Sequence, residues 1–91
     1  MTEKYIKALQ KRGFTIDSIK ENTTDWTGDY FSKGPVIIEA KVETKRGTLS
    51  VYCGTNGTCR VDKPNGTHKW LYQKTMPQLF RAIDQSLAFY K

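Results

Sequence analysis

Between residues 36 and 72 the chain consists of short runs of alternating apolar and polar residues, separated by turns that contain glycine. The clearest run spans residues 36–43, in which Ile38, Ala40 and Val42 alternate with charged residues. A period of two is typical of a strand that buries one face and exposes the other. Tight turns between such runs join antiparallel neighbours. This part of the chain is therefore predicted to form an antiparallel meander.

Three turns define the other strands of the meander. The turn at 45–47 leads into a strand at 48–53, in which Tyr52 is on the polar side. Asn56-Gly57 leads into a strand at 59–62, and Asn65-Gly66 leads into a last strand at 67–72. Asn-Gly is the strongest short-range signal for a hairpin. The sequence thus predicts four strands.

The segment between residues 14 and 31 is less regular. Phe14, Ile16 and Ile19 suggest a fifth strand, residues 22–25 have the composition of a turn, and residues 26–31 resemble a short aromatic extended segment. The meander is therefore expected to have four or five strands.

A helix is predicted at each end of the sheet. Thr2 caps a helix at residues 3–12 and Gly13 ends it, while Thr75 and Gln78 form the capping box of a second helix. The apolar residues of this second helix cover about a third of its circumference, as expected for a helix that packs across one face of a sheet. They are Met76, Leu79, Phe80, Ile83, Leu87 and Tyr90. Phe89 lies outside this stripe and is either a surface for homodimer formation or part of a frayed end.

These elements predict a single α+β domain over residues 1–91, because a chain of this length cannot bury two separate cores. The first residues carry no apolar run, so neither a signal peptide nor a membrane segment is expected, and the cytoplasm is the default location. In that compartment Cys53 and Cys59 would normally stay reduced. Their positions across a hairpin leave a disulfide open as an alternative.

The charge is unevenly distributed. The chain has a net charge of +6, of which residues 1–33 contribute +1 and residues 34–91 contribute +5. Such a field favours polyanions or an acidic protein partner through long-range attraction. Charge alone does not distinguish between these two classes of partner.

Glu39 and Lys41 belong to the pattern with the clearest catalytic precedent. A Glu-x-Lys pair on a strand, preceded by an aspartate such as Asp29, resembles the core of the restriction-endonuclease-like nucleases. In that family two carboxylates hold Mg²⁺ and the lysine polarises the attacking water. Asp29 and Glu39 would lie opposite each other if Gly34 centred a hairpin. The family also needs a helical crossover after this strand, whereas this chain turns directly into another strand, so a nuclease is less expected than a binding protein.

Other catalytic or cofactor signatures are weaker. His68 has no carboxylate or cysteine at a triad spacing, and together with the two cysteines it does not make a zinc set. The glycines fall singly in turns, which does not fit a phosphate-binding loop. The sequence therefore predicts neither a cofactor nor a metal. Three N-glycosylation sequons, at Asn22, Asn56 and Asn65, are interpreted as turn residues.

The remaining candidate is the polar face of the sheet. Aromatic rings stack on bases while Lys and Arg follow phosphates, so a basic, aromatic sheet face is typical of proteins that hold single-stranded nucleic acid. A curved meander followed by one long helix also resembles the architecture of small single-strand-binding and transcription-cofactor modules. The predicted contact residues are Lys41, Lys45, Arg46, Tyr52, Arg60, Lys63, Lys69, Trp70 and Tyr72.

Two alternatives stay open. The last strand places on the polar face either His68, Trp70 and Tyr72 or Lys69 and Leu71. If Trp70 and Tyr72 belong to the core, this stacking surface does not exist. The protein is then a small inhibitor or regulator that docks on an acidic partner protein, through its positive surface, a sheet edge or the segment at 26–31. The side of the sheet on which the last strand places its aromatic residues distinguishes the two hypotheses.

Overall fold

The computed structural model describes residues 2–21 and 35–90, which form two helices and five strands. In chain order the elements are helix α1 (Thr2–Lys11), strands β1 (Thr15–Glu21), β2 (Val36–Thr44), β3 (Gly47–Gly54), β4 (Cys59–Asp62) and β5 (His68–Leu71), and helix α2 (Met76–Tyr90). The strands form one sheet in the order β1-β2-β3-β4-β5, and every neighbouring pair is antiparallel. The predicted α+β meander with a helix at each end is confirmed.

The local signals that define these elements are also present. Gly13 follows α1 with a φ of +91°, the left-handed conformation expected after a helix. Thr75 and Gln78 form the predicted capping box: the Thr75 N–H donates to Gln78 Oε1 at 3.1 Å, and the Gln78 N–H donates to Thr75 Oγ1 at 3.4 Å. The segment after Phe14 forms β1, the fifth strand. The predicted turn at 22–25, the extended segment at 26–31 and Asp29 lie outside the described residues.

Both helices pack on the same face of the sheet. Leu9 of α1 and Ile83 of α2 are fully buried with the inward-facing residues Ile38, Leu49 and Val51 of the strands. Burial of an aliphatic side chain of this size stabilises the fold by about 1.5–3 kcal/mol. The core therefore lies between the sheet and the helices, and we call the opposite side of the sheet the open face.

An arginine connects the end of α1 to α2. Arg12 donates from Nε and Nη2 to the two carboxylate oxygens of Asp84, at 2.6 and 3.2 Å, and its guanidinium lies 4.7 Å from the centre of the Phe80 ring. A paired, two-point contact of this kind fixes geometry as well as charge. It holds the Asp84 carboxylate on the α1 side of α2, away from β5.

Candidate nucleic-acid interface

The orientation of β5 decides which residues share a surface. Leu71 is opposite Cys59 in the ladder and is only 6% exposed, so it faces the helices. Because side chains alternate along a strand, Trp70 projects to the open face. There it is opposite Arg60, which in turn is opposite Tyr52 on β3. The side chains of Tyr52, Arg60 and Trp70 therefore form one cross-strand line.

Two pairwise ring contacts are present along this line. The rings of Trp70 and Tyr72 are stacked, with centres 6.2 Å apart and planes inclined by 13°, and Tyr72 is 49% exposed. The Arg60 guanidinium lies 5.6 Å from the centre of the Tyr52 ring, within the range of a cation–π interaction. We call Tyr52, Arg60, Trp70 and Tyr72 the aromatic row. Its flat groups are held in place by their neighbours on the sheet.

Two cations of the open face are paired with carboxylates. Arg60 Nε is 2.7 Å from Asp62 Oδ1, and Lys41 Nζ is 3.6 Å from Asp17 Oδ2. The ladder is irregular between Ile16 and Ser18, and this irregularity places Asp17 where it reaches across to Lys41. The two predicted cations of the open face, Lys41 and Arg60, are thus paired, and the open face carries less free positive charge than the sequence suggested.

Glu39 lies in the middle of the open face and affects its neighbour Tyr52. It accepts a hydrogen bond of 3.1 Å from Ser18 Oγ. Burial raises the pKa of the Tyr52 phenol, and the negative charges of Glu39 and Asp62 raise it further, while Arg60 opposes the shift. Tyr52 is therefore a neutral hydrogen-bond donor at physiological pH.

The other predicted cations lie elsewhere. Lys63 and Lys69 line a cavity of about 410 Å³ on the helix side of β5, together with the end of α2. Arg46, in the turn between β2 and β3, places its guanidinium 5.6 Å from the ring centre of Phe89 on α2. Lys45 is exposed in the same turn. The nine predicted contact residues are therefore divided between two surfaces and one turn.

A second, smaller cavity continues the first along α2. It has a volume of about 180 Å³, includes Lys74 and Arg81 in its lining, and shares Ala82 and Gln85 with the larger cavity. We call this continuous surface, with its cations Lys63, Lys69, Lys74 and Arg81, the basic groove. Neither cavity has a carboxylate in its lining, and within residues 2–21 and 35–90 none of these four cations forms an ion pair.

Sequence reasoning missed Lys74 and Arg81 as members of this surface. The available signal was the flank of α2 beside its apolar stripe. Gln78, Ala82, Gln85 and Phe89 follow one another at helical spacing of three or four residues, so they share one side of the helix. This flank of α2 is mostly polar and has no carboxylate. It predicts a basic groove only once it is known that α2 packs beside the basic strand β5.

Two residues of the nuclease hypothesis, Glu39 and Lys41, have structural partners. Glu39 is hydrogen-bonded to Ser18 and Lys41 is paired with Asp17. Strand β2 leads through a tight turn directly into β3, without the helical crossover of the resembling family. In the described part of the chain, no group of three His, Cys, Asp or Glu side chains is arranged to hold a metal ion.

The cysteines and the turn asparagines are both explained by the fold. Cys53 and Cys59 are opposite each other on β3 and β4 as buried free thiols, with their sulfur atoms 3.3 Å apart. The hydrogen bond with Cys53, together with burial, raises the pKa of the Cys59 thiol well above its usual range. Asn56 and Asn65 each accept a hydrogen bond from the backbone N–H two residues later, as turn asparagines do.

No family model, no curated protein and no solved structure matches this chain. Among the described residues, neither helix is long and apolar enough to cross a membrane. The function of the protein is therefore inferred from its residues and their geometry.

Proposed function

We propose that this protein is a non-enzymatic accessory or regulatory factor that binds single-stranded nucleic acid on the aromatic row. The observation that carries the proposal is the stacked pair Trp70 and Tyr72 on the open face, with Tyr72 half exposed. Every base has a flat π-face, and stacking of a base on an aromatic side chain contributes about 1–3 kcal/mol. A pair of nearly parallel rings offers such a surface without sequence preference.

The flat groups of the row favour single strands over duplexes. In a double helix the faces of the bases are covered by their neighbours, whereas an unpaired strand can turn its bases outward onto rings and guanidinium groups. Arg60 adds one such group next to Trp70, at the opposing ladder position. A short unpaired segment would therefore lie across β4 and β5 with its bases on the row.

The phosphates of the strand would find their cations on the other side of β5. This strand is at the edge of the sheet, and Lys69 is next to Trp70 on it, although the side chain of Lys69 belongs to the basic groove together with that of Lys74. Both lysines are exposed. A backbone that follows this edge keeps its bases on the open face and its phosphates near the groove. The net charge of +6 would speed the encounter.

Fluorescence anisotropy of a labelled single-stranded oligonucleotide of mixed sequence, titrated at several salt concentrations, tests the proposal. Trp70→Ala and Tyr72→Ala should each weaken binding by about 5- to 100-fold, the equivalent of one lost stacking contact, without changing the salt dependence. Ile19→Ala is the matched control, because Ile19 is as exposed as Tyr72 but lies on the opposite edge strand. Absence of binding even at low salt would contradict the proposal.

A second function, docking on an acidic protein as an inhibitor or regulator, is favoured by a different observation. Arg60 and Lys41 already have carboxylate partners on the open face, which lowers the charge available for phosphates. Trp, Tyr and Arg are also the residues that most often dominate protein interfaces. Affinity capture from a lysate with and without nuclease treatment separates the two functions, since only a protein partner would be retained after nucleic acid is digested.

A further inference from the structure

The wide end of the basic groove has the volume of a small-ligand site. Its cavity of about 410 Å³ lies between the turn that joins β4 to β5, strand β5 itself and the last turns of α2. Ligand pockets in proteins typically have volumes of about 300–1,000 Å³. We propose that this cavity binds a nucleotide with a terminal phosphate, either as a free nucleoside monophosphate or at the end of a strand.

The phosphate end of the proposed site is formed by two lysines. Lys63 enters from the turn and Lys69 from β5, so their ammonium groups approach the cavity from two elements. No carboxylate lines the cavity, and within the described residues neither lysine is in an ion pair. Two such cations favour a dianionic group over a singly charged one. A terminal phosphate, with its second negative charge, fits better than an internal phosphodiester.

The base end is formed by Phe89. Its side chain is 66% exposed although it is aromatic, and its ring is held edge-on by the buried ring of Tyr90, with centres 4.8 Å apart. The Arg46 guanidinium lies beside it, 5.6 Å from the ring centre. Aromatic rings and guanidinium planes are the groups on which proteins stack bases. A frayed helix end would explain the exposure of Phe89, but it would not explain the contacts of its ring with Tyr90 and Arg46.

Polar groups occupy the space between the two ends. Gln85 and Ser86 project into the cavity from α2 and offer an amide and a hydroxyl group. Asn65 uses its side-chain oxygen to accept hydrogen bonds from the Thr67 N–H and hydroxyl, at 3.0 and 2.6 Å, which leaves its amide NH₂ group as a donor. These groups can bond the sugar hydroxyls and the base edge. The order of cations, polar groups and ring matches the order of phosphate, sugar and base.

This site is independent of the aromatic row. Phe89, Lys63 and Lys69 are on the helix side of the sheet, whereas Trp70 is on the open face. Lys69 takes part in both proposals, but Phe89 belongs only to the cavity and Trp70 only to the row, so the two proposals can fail separately. A variant that damages only the row should retain nucleotide binding, and a variant of the cavity should retain stacking on the row.

Nuclear magnetic resonance titration of the isotopically labelled protein tests the site with three probes: adenosine 5′-monophosphate, adenosine and inorganic phosphate. The monophosphate should shift the resonances of Lys63, Lys69 and Phe89, and should bind about tenfold or more tightly than either half alone, because the charged contacts and the stacking act together. Shifts confined to other residues, or equal affinity for phosphate and monophosphate, would overturn the proposal.

Variants separate the two ends of the site. Lys69→Ala and Phe89→Ala should each weaken monophosphate binding by about fivefold or more. Lys7→Ala, which removes an exposed lysine on α1, should leave it unchanged. Circular dichroism checks that each variant is folded. Sedimentation checks for a dimer, and a dimer that dissociates in Phe89→Ala would overturn the proposal by showing that Phe89 contacts a second copy.

A last comparison identifies the source of the ligand. An oligonucleotide with a terminal phosphate is compared with the same oligonucleotide without it. If the terminal phosphate strengthens binding to the unmodified protein but not to Lys69→Ala, the site holds the end of a strand. If it has no effect while the monophosphate binds, the site holds a free nucleotide.

Discussion

The open face and the basic groove are the two sides of one short strand, and they differ in how their cations are partnered. On the open face Lys41 and Arg60 each lie within ion-pair distance of an aspartate. In the groove, Lys69 and Lys74 have no such partner in the described part of the chain. The charges of lysine and arginine are therefore partly neutralised on the open face, whereas the lysines of the basic groove are available to an anionic ligand.

The cause of this difference is the neighbourhood that each side provides. A side chain on the open face has other strands beside it, and residues two positions along or directly opposite are only about 5–8 Å away. A carboxylate on the polar side of the sheet can therefore reach a neighbouring cation, as Asp17 and Asp62 do. The groove instead faces glutamines, serine and alanine of α2, while Asp84 is held by Arg12 on the far side of the helix. Topology, rather than composition, separates the two surfaces.

The largest expected effect is a loss of folding stability when the contact between Gly57 and Lys74 is broken, because this contact positions β5 and α2 and thereby both surfaces. The Gly57 carbonyl accepts from the Lys74 N–H at 3.1 Å, which fixes the path from β5 into α2. A Cβ on Gly57 would overlap the Lys74 backbone, and its φ is +87°. Gly57→Ala should lower the free energy of unfolding by about 3 kcal/mol, as measured by urea denaturation.

Gly66→Ala is the matched control for that substitution. Gly66 has nearly the same φ, +88°, but an added Cβ would meet nothing within 4 Å. Its expected cost is only that of the left-handed backbone, about 1 kcal/mol. Equal losses in the two variants would show that the contact between Gly57 and Lys74 does not constrain the fold.

The second prediction compares a cation without a partner to one with a partner. If Lys74 meets a phosphate, Lys74→Gln should reduce the slope of log affinity against log salt by about 0.7 for a single-stranded oligonucleotide, because one fewer counterion is released. Lys41→Gln should change this slope much less, since Asp17 already neutralises Lys41. Anisotropy titrations over a range of salt give both slopes. A larger change for Lys41 would reverse the assignment of the two surfaces.

A third, smaller effect should follow from removing a carboxylate from the open face. Asp62→Asn releases Arg60, and exposed ion pairs are worth about 0–1 kcal/mol, so oligonucleotide affinity at low salt should rise by at most about fivefold. Asp84→Asn serves as the control because its partner Arg12 lies away from both surfaces. An unchanged or lower affinity in Asp62→Asn would place Arg60 outside the contact.

The smallest effect concerns Tyr52 and alkaline pH. Because the pKa of its phenol is raised in the folded protein, Tyr52 stabilises the fold below its ordinary pKa of 10.0, and this contribution is lost as pH rises through the folded value. Urea denaturation between about pH 9 and pH 11 should show a steeper loss of stability in the unmodified protein than in Tyr52→Phe. Parallel curves would mean that Tyr52 titrates as in an unfolded chain.

Much of the fold could be predicted because its signals are local. Alternation along β2, the Asn-Gly turns and the capping box at Thr75 each depend on residues within a few positions of one another. The sequence pattern of strand β1 was less clear. Ile19 is 49% exposed on this edge strand, and the irregularity near Asp17 interrupts the alternation of apolar and polar residues. The tertiary pairing with β2 defines it as a strand.

The candidate sites were only partly predictable. Tyr52 and Arg60 were expected to share a surface, with either Trp70 or Lys69 beside them, and the structure places Trp70 in line with them. Lys69 lies on the other side of the sheet, and so does Lys63, which was expected at the rim of this surface. Strand β5 has four residues of mixed character, so its sequence fits either phase of alternation. The pairing of Leu71 with Cys59 selects the phase.

The sequence by itself determined the order of elements, the turns and the total charge, since these follow from backbone preferences and the spacing of apolar residues along the chain. The tertiary structure alone decided which cations are paired and which side of β5 carries the rings. The physical reason is that charge pairing and burial depend on neighbours across strands and helices. Those neighbours are distant in sequence: Asp17 from Lys41, Arg12 from Asp84, and Arg46 from Phe89.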